Sequence, residues 1–342
     1  MQLNQYNNIL SKTVQDPLVS VILPTYNRAS IIQKSVEAVL NQTYRTLELI
    51  IIDDGSTDET KELISKITDS RVRYIQIDEN KGVANARNEG IRSSLGEIIA
   101  FADSDDIWLP GKLVSQIKIL KNFPHIELLF ADYLNINHIT NTQDYGFRQN
   151  TKGMKLLKTR LLYKECFEIL EGTPEALLQS NFIATPTVLI RSNVVSKIGN
   201  FNIQLMGGED FEFWWRASVS GIQFAYQTIP WIERNKIDDS ITAMNISFSP
   251  RLLQSLEVCV ETAKKTNQSR LLPHLRRAQH RAWTALSWAH GRQGERKPAL
   301  VAFKKSLTYG NSIQAWIYAF LSLVGGSGIK TIKKIRNKIK SS

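Results

Sequence analysis

VSVILPTYNR (19–28) starts as a short, continuous, β-branched apolar run and breaks at Pro24. A strand buried on both faces reads this way. Outward along the chain the pattern repeats in LELIIID (47–53), RVRYIQI (71–77) and EIIAFAD (97–103). Helical spacing fills the gaps. Residues 29–42 place Ile32, Val36, Val39 and Leu40 on one side, and residues 59–67 and GVANARNEGIRSS (82–94) follow suit. Strand and helix alternating over short connections predict an α/β fold, an open and mostly parallel mixed sheet flanked by helices. Ligands in such sheets bind beyond the carboxyl ends of the strands. The polar clusters TYNR, DDGS and DSDD fall at those ends. A dinucleotide oxidoreductase fits poorly, because the first strand leads into PTYNR and not into GxGxxG.

Further along, 111–123 predicts a helix stopped by Pro124, and 126–134 another strand. Residues 150–180 read as a helical or loop insertion near the site, and 181–201 as apolar stretches around a turn followed by a helix. From about residue 250 the composition turns to long helices with basic faces. The expected organisation is an arm (1–17), a catalytic domain (18–245), a helical hairpin region (250–312) and a tail (313–342). WTALSWAHGRQGERKPALVAFKKSL (283–307) suggests two antiparallel helices around GRQGERK. Trp283, Leu286, Ala299 and Phe303 match one tetratricopeptide-like unit, and a stable array needs about three. A hairpin packed on the body is therefore expected.

The 342-residue chain carries a net charge of +11, unevenly spread. Residues 251–342 hold 18 Lys/Arg and three Asp/Glu, whereas residues 1–250 carry −4. A near-neutral body with a basic end points to an anionic surface. No nucleic-acid reader motif accompanies the charge, so nucleic acid is not expected as a partner. IQAWIYAFLSLV (313–324) is too short to span a bilayer. IKTIKKIRNKIK (329–340) repeats isoleucine at helical spacing among six Lys/Arg, a basic amphipathic pattern suited to an anionic membrane. A solvated tail, or a helix docked on the body, fits the same pattern. The polar N-terminus lacks an apolar signal core. The expected location is cytoplasmic, peripheral on the inner face of the plasma membrane. Cys166 and Cys259 lie in no paired or zinc-like spacing and read as reduced structural residues. None of the five histidines falls in a catalytic-looking motif.

Three clusters carry candidate chemistry. Asp53 and Asp54 end a strand, where a carboxylate accepts hydrogen bonds from a nucleobase or a ribose; Gly55 permits close backbone approach. Asp103-Ser104-Asp105-Asp106 places three acids in four residues in the ligand crevice. Such charges repel unless a cation or protonation offsets them, and a divalent ion with oxygen ligands also suits diphosphate. Gly207-Gly208-Glu209-Asp210 opens a helix, whose N-terminus favours an ionised carboxylate able to take a proton from an acceptor hydroxyl. Each cluster also serves as a plain capping turn.

Taken in order, VSVILPTYNR (19–28), IIDDGSTD (51–58), NKGVANARN (80–88), FADSDDIWLPGKL (101–113) and GGEDFEFWWR (207–216) resemble glycosyltransferase family 2, inverting enzymes of the GT-A fold. The resemblance covers roughly 18–242. It implies that Pro24, Tyr26 and Arg28 surround the nucleotide, with Asp54 on the base and Asp53 supporting. Asn80, Lys81, Gly82, Arg87 and Asn88 would line the nucleotide pocket. Asp103 and Asp105 would form the D-x-D element that holds Mn or Mg, Asp105 as principal ligand. Asp210 would be the base, with Glu209 and Trp214 on the acceptor side. Many members carry Arg-x-His late in the domain; here Arg234-Asn235-Lys236 stands there. A lysine neutralises diphosphate but does not ligate a metal while protonated, so Arg234 and Lys236 are expected to share charge stabilisation with the ion. The implied donor is a nucleoside-diphosphate sugar, UDP-type, and the acceptor a hydroxyl, with a lipid-linked glycan in cell-surface polysaccharide synthesis as the expected setting. A non-catalytic nucleotide-sugar or carbohydrate-binding protein on the same fold is the competing reading.

Overall fold

The computed structural model describes residues 16–137, 140–235 and 245–321. Most of the arm and most of the tail beyond 321 lie outside these residues, as does Lys236.

The first half is the predicted alternation. Strands β1 (Val19–Thr25), β2 (Leu47–Asp53), β3 (Val72–Gln76) and β4 (Ile98–Phe101) are separated by α1 (Ile32–Leu40), α2 (Thr60–Ser65) and α3 (Val83–Ser93). All four strands run parallel, in register from Val19↔Leu47 to Thr25↔Asp53, with Ile22 opposite Phe101. Then come β5 (Asp106–Trp108), α4 (Lys112–Asn122) and β6 (Leu128–Asn137).

The expected helical or loop insertion is corrected by the structure. After β7 (Thr142–Tyr145) and two single-turn helices, α5 (Gly146–Gln149) and α6 (Thr151–Met154), the chain forms the hairpin β8 (Lys158–Tyr163) and β9 (Cys166–Glu171). Its turn is Lys164-Glu165, with Lys164 at a φ of 46°. Two-residue hairpin turns normally announce themselves by glycine or asparagine, and neither is present.

The remaining elements are α7 (Thr173–Gln179), β10 (Leu189–Arg191), α8 (Ser192–Ile198), α9 (Glu209–Val219), β11 (Phe224–Asn235), α10 (Asn245–Lys265), α11 (Leu272–Arg292) and α12 (Arg296–Tyr309). A last helix, α13, covers 313–321. The strands form one sheet in the order β3-β2-β1-β4-β10-β6-β11-β9-β8, with β5 on β11 and β7 on β6. β10, β5, β7 and the β8–β9 pair make its antiparallel contacts.

Alternation along β1 feeds two cores, one on each face of the sheet. Val19, Val21 and Leu23 pack with Val36, Leu49 and Ile117. Ile22 packs with Phe101, Phe130, Phe182 and Trp214 on the other side. That second core also takes Leu253, Leu256 and Cys259 of α10 and Leu275 of α11. The C-terminal helices therefore share a core with α9. Both cysteines are free and buried, and burial pushes the Cys166 thiol up to about 12. Among the described residues no helix is long and apolar enough to cross a membrane.

Lys112 is fully buried against Trp108, its Nζ 3.9 Å from the ring centroid and without a hydrogen-bond acceptor. Burial holds the ammonium well below its usual pKa. The unfolded chain keeps that proton up to about pH 10.4, so folding releases it, and stability rises with pH between the folded and unfolded values. Lys112→Met is expected to raise Tm at pH 7, with the gap over wild type closing as pH approaches 10 in thermal melts.

Candidate active site

The carboxyl ends of β1, β2 and β4 open side by side because the register is in step. The loops after β1 and β2 are laced into one rim. The Asn27 N–H donates to Ser56 Oγ at 2.8 Å, Thr57 N–H to Asn27 Oδ1 at 2.8 Å, Arg28 N–H to Thr60 Oγ1 at 3.0 Å and Ala29 N–H to Asp58 Oδ2 at 3.0 Å. Burial raises the Asp58 carboxyl, and hydrogen bonds from Thr60 and Ala29 outweigh it, leaving the pKa lowered. This lacing is invisible in local sequence, where Ser56, Thr57 and Asp58 read only as helix caps.

Several residues expected to touch the nucleotide also hold the pocket walls together. Pro24 is a buried β1 residue paired with Ile52. Its missing N–H costs no ladder bond, because it points to the β4 side, where pairing has already ended at Phe101. Asp53 is fully buried and accepts from Tyr74 Oη at 2.6 Å and from the Ser56 N–H at 2.8 Å. The Asp54 carboxylate accepts the N–H groups of Lys81 (2.9 Å) and Gly82 (2.7 Å), fixing the loop that enters α3. Gly55 has a φ of +78°, and a Cβ there would stand 2.9 Å from the Asn80 backbone nitrogen; only glycine lets these loops meet. Tyr26 (43% exposed) and Lys81 remain on the rim, Lys81 3.7 Å from Glu79.

Arg87, expected to line the nucleotide pocket, bridges two of the acidic clusters. It is buried and bridges two acids, Nη1 to Glu209 Oε1 at 2.8 Å and Nη2 to Asp103 Oδ1 at 3.1 Å, with Phe201 beneath it. Burial works against the guanidinium charge, but Asp103, Glu209 and Asp210 overcome this and hold its pKa up. Asn88 exchanges two hydrogen bonds of 2.9 Å with the Phe201 backbone. α3 is thereby strapped to β4 on one side and to the chain leading into α9 on the other. Glu209 is likewise a strut in this bridge, not a free acceptor-side group. Burial, then the adjacent Asp210, raises its carboxyl, which Arg87 only partly offsets.

Trp214 does not face the site. It is fully buried among Phe101, Phe201 and Phe213, with centroids 6.0, 6.1 and 5.1 Å away. Asp210 does. It is half-buried in the first turn of α9, and its Oδ1 accepts the Phe211 N–H at 2.6 Å. Thr185 Oγ1 approaches its Oδ2 at 3.4 Å, a neighbour from another loop that the sequence did not signal. Gly208, at a φ of +75°, turns the chain into α9, and a Cβ there would meet Ser255 Oγ of α10 at 2.6 Å.

In the Asp103–Asp106 cluster two carboxyls are raised. Burial, then Asp103, raises the Asp105 carboxyl, against Arg28 and Arg234. Asp106 is raised well above the usual range, chiefly by burial. Its buried Oδ2 has no hydrogen-bond partner, and Arg234 Nε stands 3.6 Å away. The β5–β11 pairing sets this, because Arg234 lies opposite Asp106 in register. A divalent cation fits an oxygen-rich, acid-heavy site of this kind. Among the described residues no three His, Cys, Asp or Glu side chains converge to hold one. The ion would therefore complete its shell with ligand phosphate oxygens and water, as Mg²⁺ commonly does.

Residues 20–170 match the family model described as glycosyl transferase family 2. An Escherichia coli protein, UDP-Glc:alpha-D-GlcNAc-diphosphoundecaprenol beta-1,3-glucosyltransferase WfgD, is 39% identical over 146 residues, 42% of this chain and 57% of that protein. WfaP of E. coli, which carries the same activity in its name, is 44% identical over 34% of this chain and 45% of its own length. The chain thus matches less than two thirds of either relative. Among solved structures, the mannosyltransferase PcManGT from Pyrobaculum calidifontis, in complex with GDP-Man and Mn²⁺, superposes with a TM-score of 0.57 at 19% identity, covering 94% of this chain and 86% of that one. S. aureus TarS 1-349 with UDP-GlcNAc gives 0.54 at 16% identity, covering 89% and 90%. These likenesses show the GT-A fold.

Removing the bridging cation strands two acids. Arg87→Met is expected to cost ~3–5 kcal/mol of stability, read by denaturant unfolding. Arg87→Lys keeps one charge but cannot serve both carboxylates, and the slackened geometry is expected to lower kcat on the order of 100-fold with a smaller loss of stability.

Proposed function

We propose, from the match of residues 20–170 to the model described as glycosyl transferase family 2, that the chain is an inverting glycosyltransferase that moves a hexose from a UDP-sugar to a hydroxyl of a lipid-linked glycan, in cell-surface polysaccharide synthesis. One observation carries the reading. A half-buried carboxylate, Asp210, stands at a helix N-terminus and is tied through Glu209 and Arg87 to the Asp103–Asp106 cluster. A base and a diphosphate-facing charge cluster are thus held in fixed relation, which pure binding does not require.

Asp210 takes the proton of the acceptor hydroxyl as its oxygen attacks the anomeric carbon. The bond from that carbon to the diphosphate oxygen breaks, its electron pair leaves with the nucleoside diphosphate, and the anomeric configuration inverts. A divalent cation at Asp105 and Asp103 supplies charge neutralisation to the diphosphate when bound. Arg28 and Arg234 add fixed positive charge beside the same acids; Lys236, expected from the sequence to share that task, lies outside the described residues. The UDP-sugar and the lipid-linked acceptor are suggested by the named activities of the E. coli relatives, and the UDP-sugar also by the UDP-GlcNAc complex of TarS. A lipid-linked acceptor places the enzyme at a membrane, on the cytoplasmic face.

The test is a panel of nucleotide-sugar donors with a GlcNAc-diphosphate-lipid acceptor, with Mn²⁺ or with chelator. Asp210→Asn is expected to lower transfer ~10²–10⁴-fold while leaving donor affinity near wild type. Asp105→Ala is expected to weaken donor binding and abolish the response to Mn²⁺. Retention of anomeric configuration in the product, or full activity of Asp210→Asn, would overturn the mechanism.

A further inference from the structure

Helix α13 is built inside out. Its small residues face the protein, with Ala315 1% and Ala319 5% exposed. Leu321, in its last turn, is also buried, but four large apolar residues face away: Ile313 80%, Trp316 53%, Ile317 49% and Phe320 62% exposed. At the α-helical period of about 100° per residue these four fall within an arc of about 100°. They form one continuous stripe. A helix that only needed a place to pack would turn that stripe inward.

The orientation is fixed by specific contacts. Ser312 caps the helix, its Oγ accepting the Ala315 N–H at 3.2 Å. His280 of α11 holds the cap, with Nδ1 2.9 Å from the Ser306 carbonyl oxygen and Nε2 2.9 Å from Ser312 Oγ. The carbonyl accepts only, so Nδ1 carries the proton and, in the neutral ring, Nε2 accepts from the serine hydroxyl. Arg276 donates to the carbonyls of Thr308 and Tyr309 at the end of α12. Tyr318 stacks on Trp288 at 4.7 Å, and Trp316 meets Phe303 edge-on at 4.9 Å. The body thus presents the stripe to the outside.

Charge selects the occupant. Arg276, Lys304 and Lys305 are exposed on the two helices that carry α13. The sequence that follows α13, residues 322–342, holds six Lys/Arg and no Asp/Glu. A second copy would bring the same excess of positive charge to the contact and be repelled. An anionic bilayer accepts both parts at once, the apolar stripe at the acyl boundary and the cations among the phosphates. Trp316, whose Nε1 donates to Asn311 Oδ1, suits that boundary with its apolar ring and polar edge.

We propose that the Ile313–Trp316–Ile317–Phe320 face of α13 inserts into an anionic lipid surface and docks the enzyme there. The proposal extends the membrane placement above; vesicle binding and sugar transfer are read separately, so either can fail alone.

The experiment compares the full chain with an Ile313→Glu/Phe320→Glu double variant. Both positions are exposed and outside the active site. Co-sedimentation uses phosphatidylcholine vesicles with and without phosphatidylglycerol. Leu95→Glu, at an exposed position on the loop after α3, serves as a control. The wild type and the control are expected to bind the anionic vesicles and not the neutral ones. The double variant is expected to bind about tenfold more weakly or worse, with unchanged thermal melting and unchanged hydrolysis of the donor. Equal binding by the double variant would assign attachment to the basic segment 322–342 alone and overturn the proposal. A wild type that binds neither vesicle overturns it as well. So does a dimer that the double variant dissociates without any vesicle binding, which would give the face to a second copy.

Discussion

A guanidinium sealed between two carboxylates holds this site together. Arg87 leaves α3 and reaches Asp103 after β4 and Glu209 at the start of α9. Each acid sits beside a residue with a proposed chemical task, Asp105 in one case and Asp210 in the other. Desolvating three charges is costly unless each finds a partner, so the arrangement is stable only when all three segments are in place. The same strictness makes it a good spacer. It fixes how far the Asp103–Asp106 cluster lies from Asp210, the quantity the proposed displacement most needs controlled.

Around this bridge the structure alternates between groups that are satisfied and groups that are not. Asp53, Asp54 and Asp58 spend their oxygens on backbone N–H groups and on Tyr74 and Thr60, turning loops into walls. Asp106 is instead held well above the usual carboxylate range by burial, its buried Oδ2 without a hydrogen-bond partner. A buried acid without full compensation is unfavourable in isolation, and such groups concentrate where a ligand supplies what is missing. The contrast separates pocket-building acids from ligand-facing ones more sharply than sequence position does.

The C-terminal helices are tied to this chemistry by packing. α10 lies against the Gly207–Gly208 turn so closely that a Cβ at either glycine would collide with Arg251 or Ser255. Its apolar face shares a core with α9. The element that turns an apolar stripe outward is thus joined, through α12, α11 and α10, to the helix that carries the proposed base.

The strand–helix alternation of the first half, the carboxyl-end clusters and the motif order were legible because local apolar period and turn chemistry set them directly. Buried parallel strands such as 19–24 and 47–53 announce themselves without help from the rest of the chain. The β8–β9 hairpin was not legible, since Lys164-Glu165 carries no turn signature and β9 finds its place against a distant strand, pairing with β11 and stacking Phe167 on Tyr226. Nor were the partners of Asp54, Arg87 and Trp214. Their surroundings come from residues as many as 122 positions away. A sequence motif states which side chains are present near a strand end. Whether a given one faces a ligand, a backbone amide, a counter-ion or the core depends on burial and hydrogen-bond geometry, and those exist only once distant segments have packed together.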